Sequence, residues 1–347
     1  MRTIDFRVDV LRNGVAARSL QFDAQSPPAV YCDASAEICV TMRGSFLSDP
    51  DVDFLNDELQ PVVIIDGTDH KLGVFRAVTV RETVEFAARR SDIEAYDRSI
   101  LLQWGKLETH AYHAAGASYT TVITNYLTAA GISSYILEPT TATLGSAREW
   151  DVGTSYLTII NELLDDLAYN HIWFDEEGTA ILKAYRDPSE LTVSHVYGRG
   201  DAMDYHLIAP MYDREMDIYS KPNVFIAVMT SPDYASPLTA TAENNSLTSP
   251  LSTIRRGIRI PAVYRVNNIA SQSALQTYVN RLRDRGTEAF EKIDISTAIQ
   301  PGHGVGDIVE LDDDDLQGIY RETGWTLTMG AGEYMTHSLE RTVAQDG

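Results

Sequence analysis

Several groups of side chains have the types and spacing that chemistry requires. Asp312-Asp313-Asp314-Asp315 offers oxygen ligands for a hard cation. It lacks the glycine and the terminal glutamate of an EF-hand loop, and Leu316-Gln317-Gly318 leads at once into another strand, so a solvated hairpin tip is expected. Asp165-Asp166 and Asp175-Glu176-Glu177 pair carboxylates as general acid–base catalysis would. The helical period sets Asp165 and Asp166 opposite the leucines of their helix, where a charged pair only keeps a face soluble. His110 and His113 have the H-x-x-H spacing of a zinc-binding helix, but they sit in a β-like stretch with no adjacent glutamate and no third ligand. The eight histidines are otherwise scattered. Gly198-Arg199-Gly200-Asp201 has too few glycines and no following helix for a phosphate cradle, and no nucleophile elbow, P-loop, dinucleotide fingerprint or zincin motif occurs. The sequence therefore assigns no catalytic, cofactor-binding or metal-ligating residue.

The elements that would position these groups begin with residues 154–185. Leu157, Ile160, Leu163, Leu164 and Leu167, with Ile159 at the margin, follow a helical period, and Thr154 or Ser155 can cap the start. After Asn170 the period changes to a hairpin: His171-Ile172-Trp173-Phe174, a turn at Asp175-Glu176-Glu177-Gly178, and Thr179-Ala180-Ile181-Leu182. Trp173 is expected in the core of this unit. An earlier helix carries Val122, Ile123, Tyr126, Leu127 and Ala130 on one stripe, capped by Ser118 and ended by Gly131, with Tyr135-Ile136-Leu137 extended after it.

On either side the chain is β-rich. Up to about residue 105, runs at Ile4 to Leu11, Val30 to Tyr31, Ile38 to Met42, Val62 to Ile65, Leu72 to Val80 and Thr83 to Ala88 are separated by turn signals such as Asn13-Gly14 and Asp66-Gly67. After residue 193, Asn223 to Val228 is a strand, Pro232 to Pro250 reads as an exposed polar loop, and Ser273 caps a helix with Leu275, Tyr278, Val279 and Leu282 on one face. Strands return at Ile293 to Ile299, Asp307 to Leu311, Ile319 to Met329 and Tyr334 to Val343. In Gly304-Val305-Gly306-Asp307 the aspartate is placed to bond its own turn. The fold class is α+β, mainly β: two similar barrel-like domains, 1–105 and 193–347, flank a small α+β domain, 106–192.

Composition bounds the function. A net charge of −22 excludes a protein that grips nucleic acid through clustered cations, though DNA can pass such a surface. No run reaches the roughly 18 to 20 apolar residues of a membrane span, and the start lacks the apolar stretch of a secretory signal. Cys32 and Cys39 have no second pair to complete a zinc site and read as reduced thiols.

Order and motif together carry a resemblance. Residues 155–185, SYLTIINELLDDLAYNHIWFDEEGTAILKAY, with Trp173, Asp175, Gly178 and Tyr185 in place, resemble the helix–hairpin segment of phage tail baseplate hub proteins and of related contractile particles. YTTVITNYLTAAGI followed by REWDVGTSYLTIINELL repeats that family's order of elements. Tyr96-Asp97-Arg98-Ser99 resembles the aspartate-centred turn with which the family leaves its first barrel. The resemblance implies a structural hub with no cofactor: a homotrimeric ring joining a sixfold tail tube to a threefold tip. Implied partners are its own copies, a tail tube or distal tail protein, a tip or spike protein and a tape measure protein, with DNA in transit only. The implied location is the virion tail after synthesis in the host cytoplasm. The chain stops at Gly347 without a needle, peptidase or lectin domain, which leaves tip functions to other chains. Two rival readings are a virion-associated cell-wall hydrolase using Asp165 or Asp175, and a monomeric binding module using the loop from Pro232 to Pro250.

Overall fold

The computed structural model describes residues 2–23, 25–85, 88–186, 191–198, 212–216, 221–229, 237–247, 249–266, 272–313 and 316–342. The first part holds strands β1 (Ile4–Arg12), β2 (Val15–Leu20), β3 (Ala29–Asp33), β4 (Val40–Leu47), β5 (Glu58–Ile65), β6 (Thr68–Lys71), β7 (Phe75–Glu85) and β8 (Ala88–Asp97). The middle holds α1 (Ser99–Trp104), β9 (Ala111–His113), α2 (Tyr119–Ala129), β10 (Tyr135–Leu137), β11 (Arg148–Trp150), α3 (Tyr156–Asp166), β12 (Trp173–Phe174) and β13 (Ala180–Leu182). The last part holds β14 (His195–Gly198), β15 (Asp213–Met216), β16 (Val224–Met229), β17 (Leu238–Glu243), α4 (Thr253–Arg256), β18 (Pro261–Val266), α5 (Gln272–Glu288), β19 (Ala289–Thr297), β20 (Ile308–Asp312), β21 (Gln317–Thr328) and β22 (Met335–Thr342). The protein is mainly β with an α+β middle.

The two β-rich parts run into one another. A 14-stranded sheet follows the order β15-β19-β22-β21-β3-β4-β8-β7-β5-β1-β2, with β6 added at β5, β20 at β21 and β14 at β20. The seam is β3 against β21, antiparallel, from Gly324 opposite Asp33 to Thr328 opposite Ala29. Gly324 permits it, because a Cβ there would stand 2.8 Å from the Cys32 carbonyl oxygen. No sheet closes on itself among the described residues, although single bridges, Phe22 to Phe46 and Leu59 to Phe75, bring the curled first part back towards its own strands. Beneath the seam one apolar cluster draws on both ends of the chain, with Val10, Met42 and Phe75 packed alongside Ile299, Trp325, Leu327 and Met335.

In the middle unit, α2 and α3 bury their apolar stripes with β12 and β13 in one core, which Ile38, Val78 and Tyr96 of the first β part also join. Ser155 is the cap of α3, its hydroxyl accepting from the Thr158 N–H, and Ile159 is fully buried where a marginal position was expected. The hairpin forms as read, with Gly178 at φ 75° in its turn and Asp175 Oδ1 accepting from Thr179 N at 2.7 Å. β10 adds to β13 in parallel. Trp173 is a correction: strand alternation turns Phe174 into the core, 5% exposed, and leaves Trp173 half-buried on the other face.

Other boundaries moved. β7 runs on to Glu85 and pairs with β8 as far as Glu85 opposite Ala88, where runs ending at Val80 and beginning at Thr83 were expected, and Tyr96-Asp97 ends a strand. β2 was not read at all. The supposed loop from Pro232 to Pro250 contains β17, whose Leu-Thr-Ala-Thr-Ala-Glu alternation buries Ala240 and Ala242 against β16; residues 230–236 and 248 lie outside the described set. α5 begins at Gln272, so Ser273 sits inside the helix and is not its cap. Leu275 and Val279 pack under β16 and β17 as the periodicity requires.

Candidate functional site

Three of the histidines that look scattered in sequence, His195, His303 and His337, converge in space. β14 supplies His195 and Tyr197, the segment after β19 supplies His303 and Asp307, β21 supplies Glu322, and β22 supplies His337. Strand pairing β14–β20–β21–β22 brings His195, Tyr197, Glu322 and His337 side by side, alternation turns them to one face, and the segment between β19 and β20 lays His303 and Asp307 against them. Glu322 is 1% exposed and accepts from both rings: His303 Nδ1 to Oε2 and His337 Nδ1 to Oε1, each at 2.6 Å. The opposite nitrogens are also engaged, His303 Nε2 with the Tyr197 hydroxyl and His337 Nε2 with Thr297 Oγ1, each at 2.8 Å. His195 stacks on His303 with centroids 3.7 Å apart and planes 10° from parallel. Its buried Nε2 has no hydrogen-bond partner and lies 3.5 Å from Asp307 Oδ2, an ion-pair distance. That carboxyl bonds its own turn as expected, accepting from Gly304 N at 2.8 Å.

The electrostatics follow from burial. Desolvation alone would push the Glu322 carboxyl up, but the two imidazole N–H groups hold it below its ordinary value. Burial pushes His303 down, against the pull of Glu322. Burial would also raise Asp307, yet His195 and the Gly304 amide hold it low.

Two triads bring ligand atoms within 4.8 Å: His195, His303, Asp307 and His303, Glu322, His337. Neither geometry is that of a metal centre. Two ligands on a tetrahedral zinc with bonds of about 2.0 to 2.1 Å stand roughly 3.3 Å apart, whereas the Glu322 contacts are 2.6 Å hydrogen bonds. In the other triad the near-parallel rings cannot aim their in-plane lone pairs at one ion. The cluster is a hydrogen-bond network around Glu322, with His195 stacked on His303 and at ion-pair distance from Asp307.

Beside it, a cavity of about 340 Å³ lies between the β12–β13 hairpin and residues 300–305, lined among others by Trp173, Lys183, His303 and Asp97. Asp97 is 2% exposed. One oxygen accepts from Ser99 N at 2.8 Å in the aspartate-centred turn, while Oδ2 has no hydrogen-bond partner. Burial pushes its carboxyl up to about 6. Close by, Arg98 holds the middle unit to the first β part, gripping Glu58 with two bonds of 3.0 and 2.8 Å and donating to the Gly178 carbonyl at 2.9 Å. Lys71 and Glu177 add a 2.6 Å pair across the same junction.

The residues singled out from sequence are placed elsewhere. Asp165 is exposed beside exposed His171, as a solvated face implies. Asp166 is a correction: it binds Arg148 at 2.7 Å and takes the Tyr119 hydroxyl at 3.3 Å, with burial pushing its carboxyl up. Asp175 is spent on its turn. His113 bonds the Tyr126 hydroxyl at 2.9 Å, and His110 faces Glu149. Asp312 ends β20 and Asp313 is buried in the turn to β21, so the tip is not wholly solvated; Asp314 and Asp315 lie outside the described residues. Gly198 meets β20 so closely that a Cβ would touch the Asp312 carbonyl; the rest of its motif, 199–201, lies outside the described residues. Cys32 and Cys39 are free and buried, with burial pushing both thiols up. The one signal that could have found the cluster was composition of the last β part, where His303, Glu322 and His337 fall on strand or strand-entry positions otherwise filled by apolar residues.

No family model matches the chain, and no curated protein matches it. Solved structures do. A tail protein from Neisseria meningitidis MC58 superposes with a TM-score of 0.70 at 12% identity, covering 98% of this chain and 97% of that one. The 43 kDa tail protein of prophage MuSo2 from Shewanella oneidensis gives 0.70 at 8% identity, covering 98% of both. The fold is that of these phage tail proteins. An E. coli protein described as a type VI secretion component, with structural similarity to the T4 tail proteins gp27 and gp5, gives 0.52 at 10% identity over 97% of this chain and 78% of its own. At such identities the likeness is one of fold, and it extends over the fused sheet and the middle unit alike.

Proposed function

We propose that this protein is a structural component of a phage tail or phage-like particle, the baseplate hub at the tail tip, acting as a homotrimeric ring between tube and tip. The observation that carries the reading is the superposition of nearly the whole chain on two tail proteins at a TM-score of 0.70. The helix–hairpin resemblance of residues 155–185 supports it independently, since it lies in the amino-acid sequence itself. In this reading 1–105 and 193–347 are the two barrel-like domains whose repetition around a threefold axis gives six, and 106–192 braces them. A seam that fuses both into one sheet supports such a role, because a ring segment under load must transmit force between its halves. The role is non-enzymatic. Tube, tip and tape measure proteins are its neighbours, DNA passes without being held, and the net charge of −22 favours a lumen wall with more carboxylates than cations.

Native mass measurement tests the proposal: tail assemblies or the concentrated protein should give a species three times the 38.5 kDa chain mass. A chain that stays monomeric within assembled particles would defeat it. A peptidoglycan clearing assay should show no activity.

A further inference from the structure

One part of the chain has a charge unlike the rest. Residues 221–288 hold eight basic side chains, Lys221 and seven arginines, against four acidic ones, a net +4. The whole chain is −22, so the remainder carries −26. The same residues form the three-stranded sheet β17–β16–β18 with α4 and α5, apart from the 14-stranded sheet. We infer that the open face of this small sheet docks onto the acidic remainder of a second copy of the chain. The inference rests on the ring reading and names the surface through which neighbouring copies meet.

Strand alternation gives the sheet two unlike faces. Phe225, Ala227, Met229, Ala240 and Ala242 point to one side, where Leu275 and Val279 of α5 cover them. On the other side the register sets Ile226 between Thr241 and Val263, and Val228 between Thr239 and Arg265. Val263 is 57% exposed, Thr239, Thr241 and Arg265 are exposed, and Ile226 and Val228 are half-buried. One end of this face is closed. There Glu243 accepts from Thr253 Oγ1 at 2.6 Å and pairs with Arg259, which holds the segment 253–260 at the end where Val224 is buried. That segment itself exposes Ile254, Arg255, Ile258 and Arg259. α5 also occupies the outer edge of β17, where Gln272 and Gln276 donate from Nε2 to the Thr239 and Thr241 carbonyls at 2.9 and 3.1 Å. The open face and the β18 side are left for a partner.

An apolar centre rimmed by polar and cationic groups is the makeup of a protein–protein contact, and arginine is enriched in such contacts. A second copy fits it for two reasons. Chains carrying −22 each repel one another, so they associate most favourably when a basic surface of one meets an acidic surface of the next. A ring of identical subunits is also built from heterologous contacts, in which every chain offers two different patches. This chain holds both, in the +4 module and the −26 remainder. Each contact sets Arg265 and its neighbours against carboxylates of the adjoining protomer, with Ile226 and Val263 withdrawn from water at the centre.

Analytical ultracentrifugation of the full chain over a concentration series tests the docking face. The unaltered protein should form trimers whose half-assembly concentration rises about tenfold or more between about 50 and about 300 mM salt. Arg265→Glu should raise it about tenfold or more at the lower salt, and so should Val263→Asp on the same face. Arg89→Glu makes the same change of net charge at an exposed site on β8 and should stay within about threefold. Hydrogen exchange at β16 checks that each variant is folded; one that loses protection there is set aside and the other decides. Trimers indifferent to salt and to both variants, or weakened equally by Arg89→Glu, would overturn the docking face and leave the ring reading standing. So would a chain that is monomeric alone and trimeric in tail assemblies. A chain monomeric in both would overturn the ring reading as well.

Discussion

Removing Trp325 should loosen a cysteine that lies almost 300 residues earlier in the chain. Trp325 is 6% exposed, stands opposite Cys32 in the β3–β21 register, and donates from Nε1 to the Gly304 carbonyl at 3.3 Å. Truncating a buried aromatic to alanine costs about 3 to 5 kcal/mol, and the lost indole bond adds about 1 kcal/mol. At about 1.4 kcal/mol per factor of ten, the low end already means two powers of ten in the opening equilibrium. Cys39 reports that opening. It lies in the same apolar cluster, 7% exposed, and burial pushes its thiol to about 12, so the thiolate that reacts is formed only when the first β part opens. Alkylation of Cys39, followed by peptide mass, should therefore run about a hundredfold faster or more in Trp325→Ala under conditions where closing outpaces labelling. Hydrogen exchange at β22 serves as the control that the substitution acted. If β22 loses protection and Cys39 labels within about threefold of its original rate, the two β parts are separate units in energy, whatever their backbone pairing.

Three further outcomes follow from single contacts. Phe174→Ala should cost the middle unit about 3 to 5 kcal/mol by urea denaturation, and Trp173→Ala clearly less, since only Phe174 faces the core; the reverse order would mean the hairpin is turned over. Asp97 shifts from 3.8 to about 6, so the folded state binds its proton more tightly than the unfolded chain; its contribution is greatest below pH 4 and falls by about 3 kcal/mol as pH rises to 6 and beyond. Asp97→Asn should remove that slope from the pH dependence of denaturation, and an unchanged slope would show that this carboxyl is hydrated. Arg98→Ala leaves Glu58 half-stripped of partners at the junction and should cost about 2 to 3 kcal/mol, with Arg98→Lys recovering only part because one head cannot reproduce the forked grip; full recovery by lysine would reduce the contact to simple charge.

Sequence by itself determined the middle unit. The bonds of α2 and α3 close within a turn, so a period of about 3.6 residues, Ser155 capping α3 and Gly131 past the end of α2 carry the information locally, although the Ser118 side chain makes no cap bond, and the Asp175-to-Gly178 turn does the same for its hairpin. It did not determine which hairpin face is inward, because that depends on what α3 presents, and Phe174 took the place expected of Trp173. Strands were harder for the same reason: a ladder's partner can lie anywhere in the chain. β17 hid in threonines and alanines whose alternation matters only once β16 and α5 cover one side. The β3–β21 seam pairs residues near 30 with residues near 326, and no local pattern announces it. The imidazole cluster is the extreme case. His195, His303 and His337 are isolated residues in sequence, and only the order β14–β20–β21–β22 brings them together, two of them bonded to a buried Glu322.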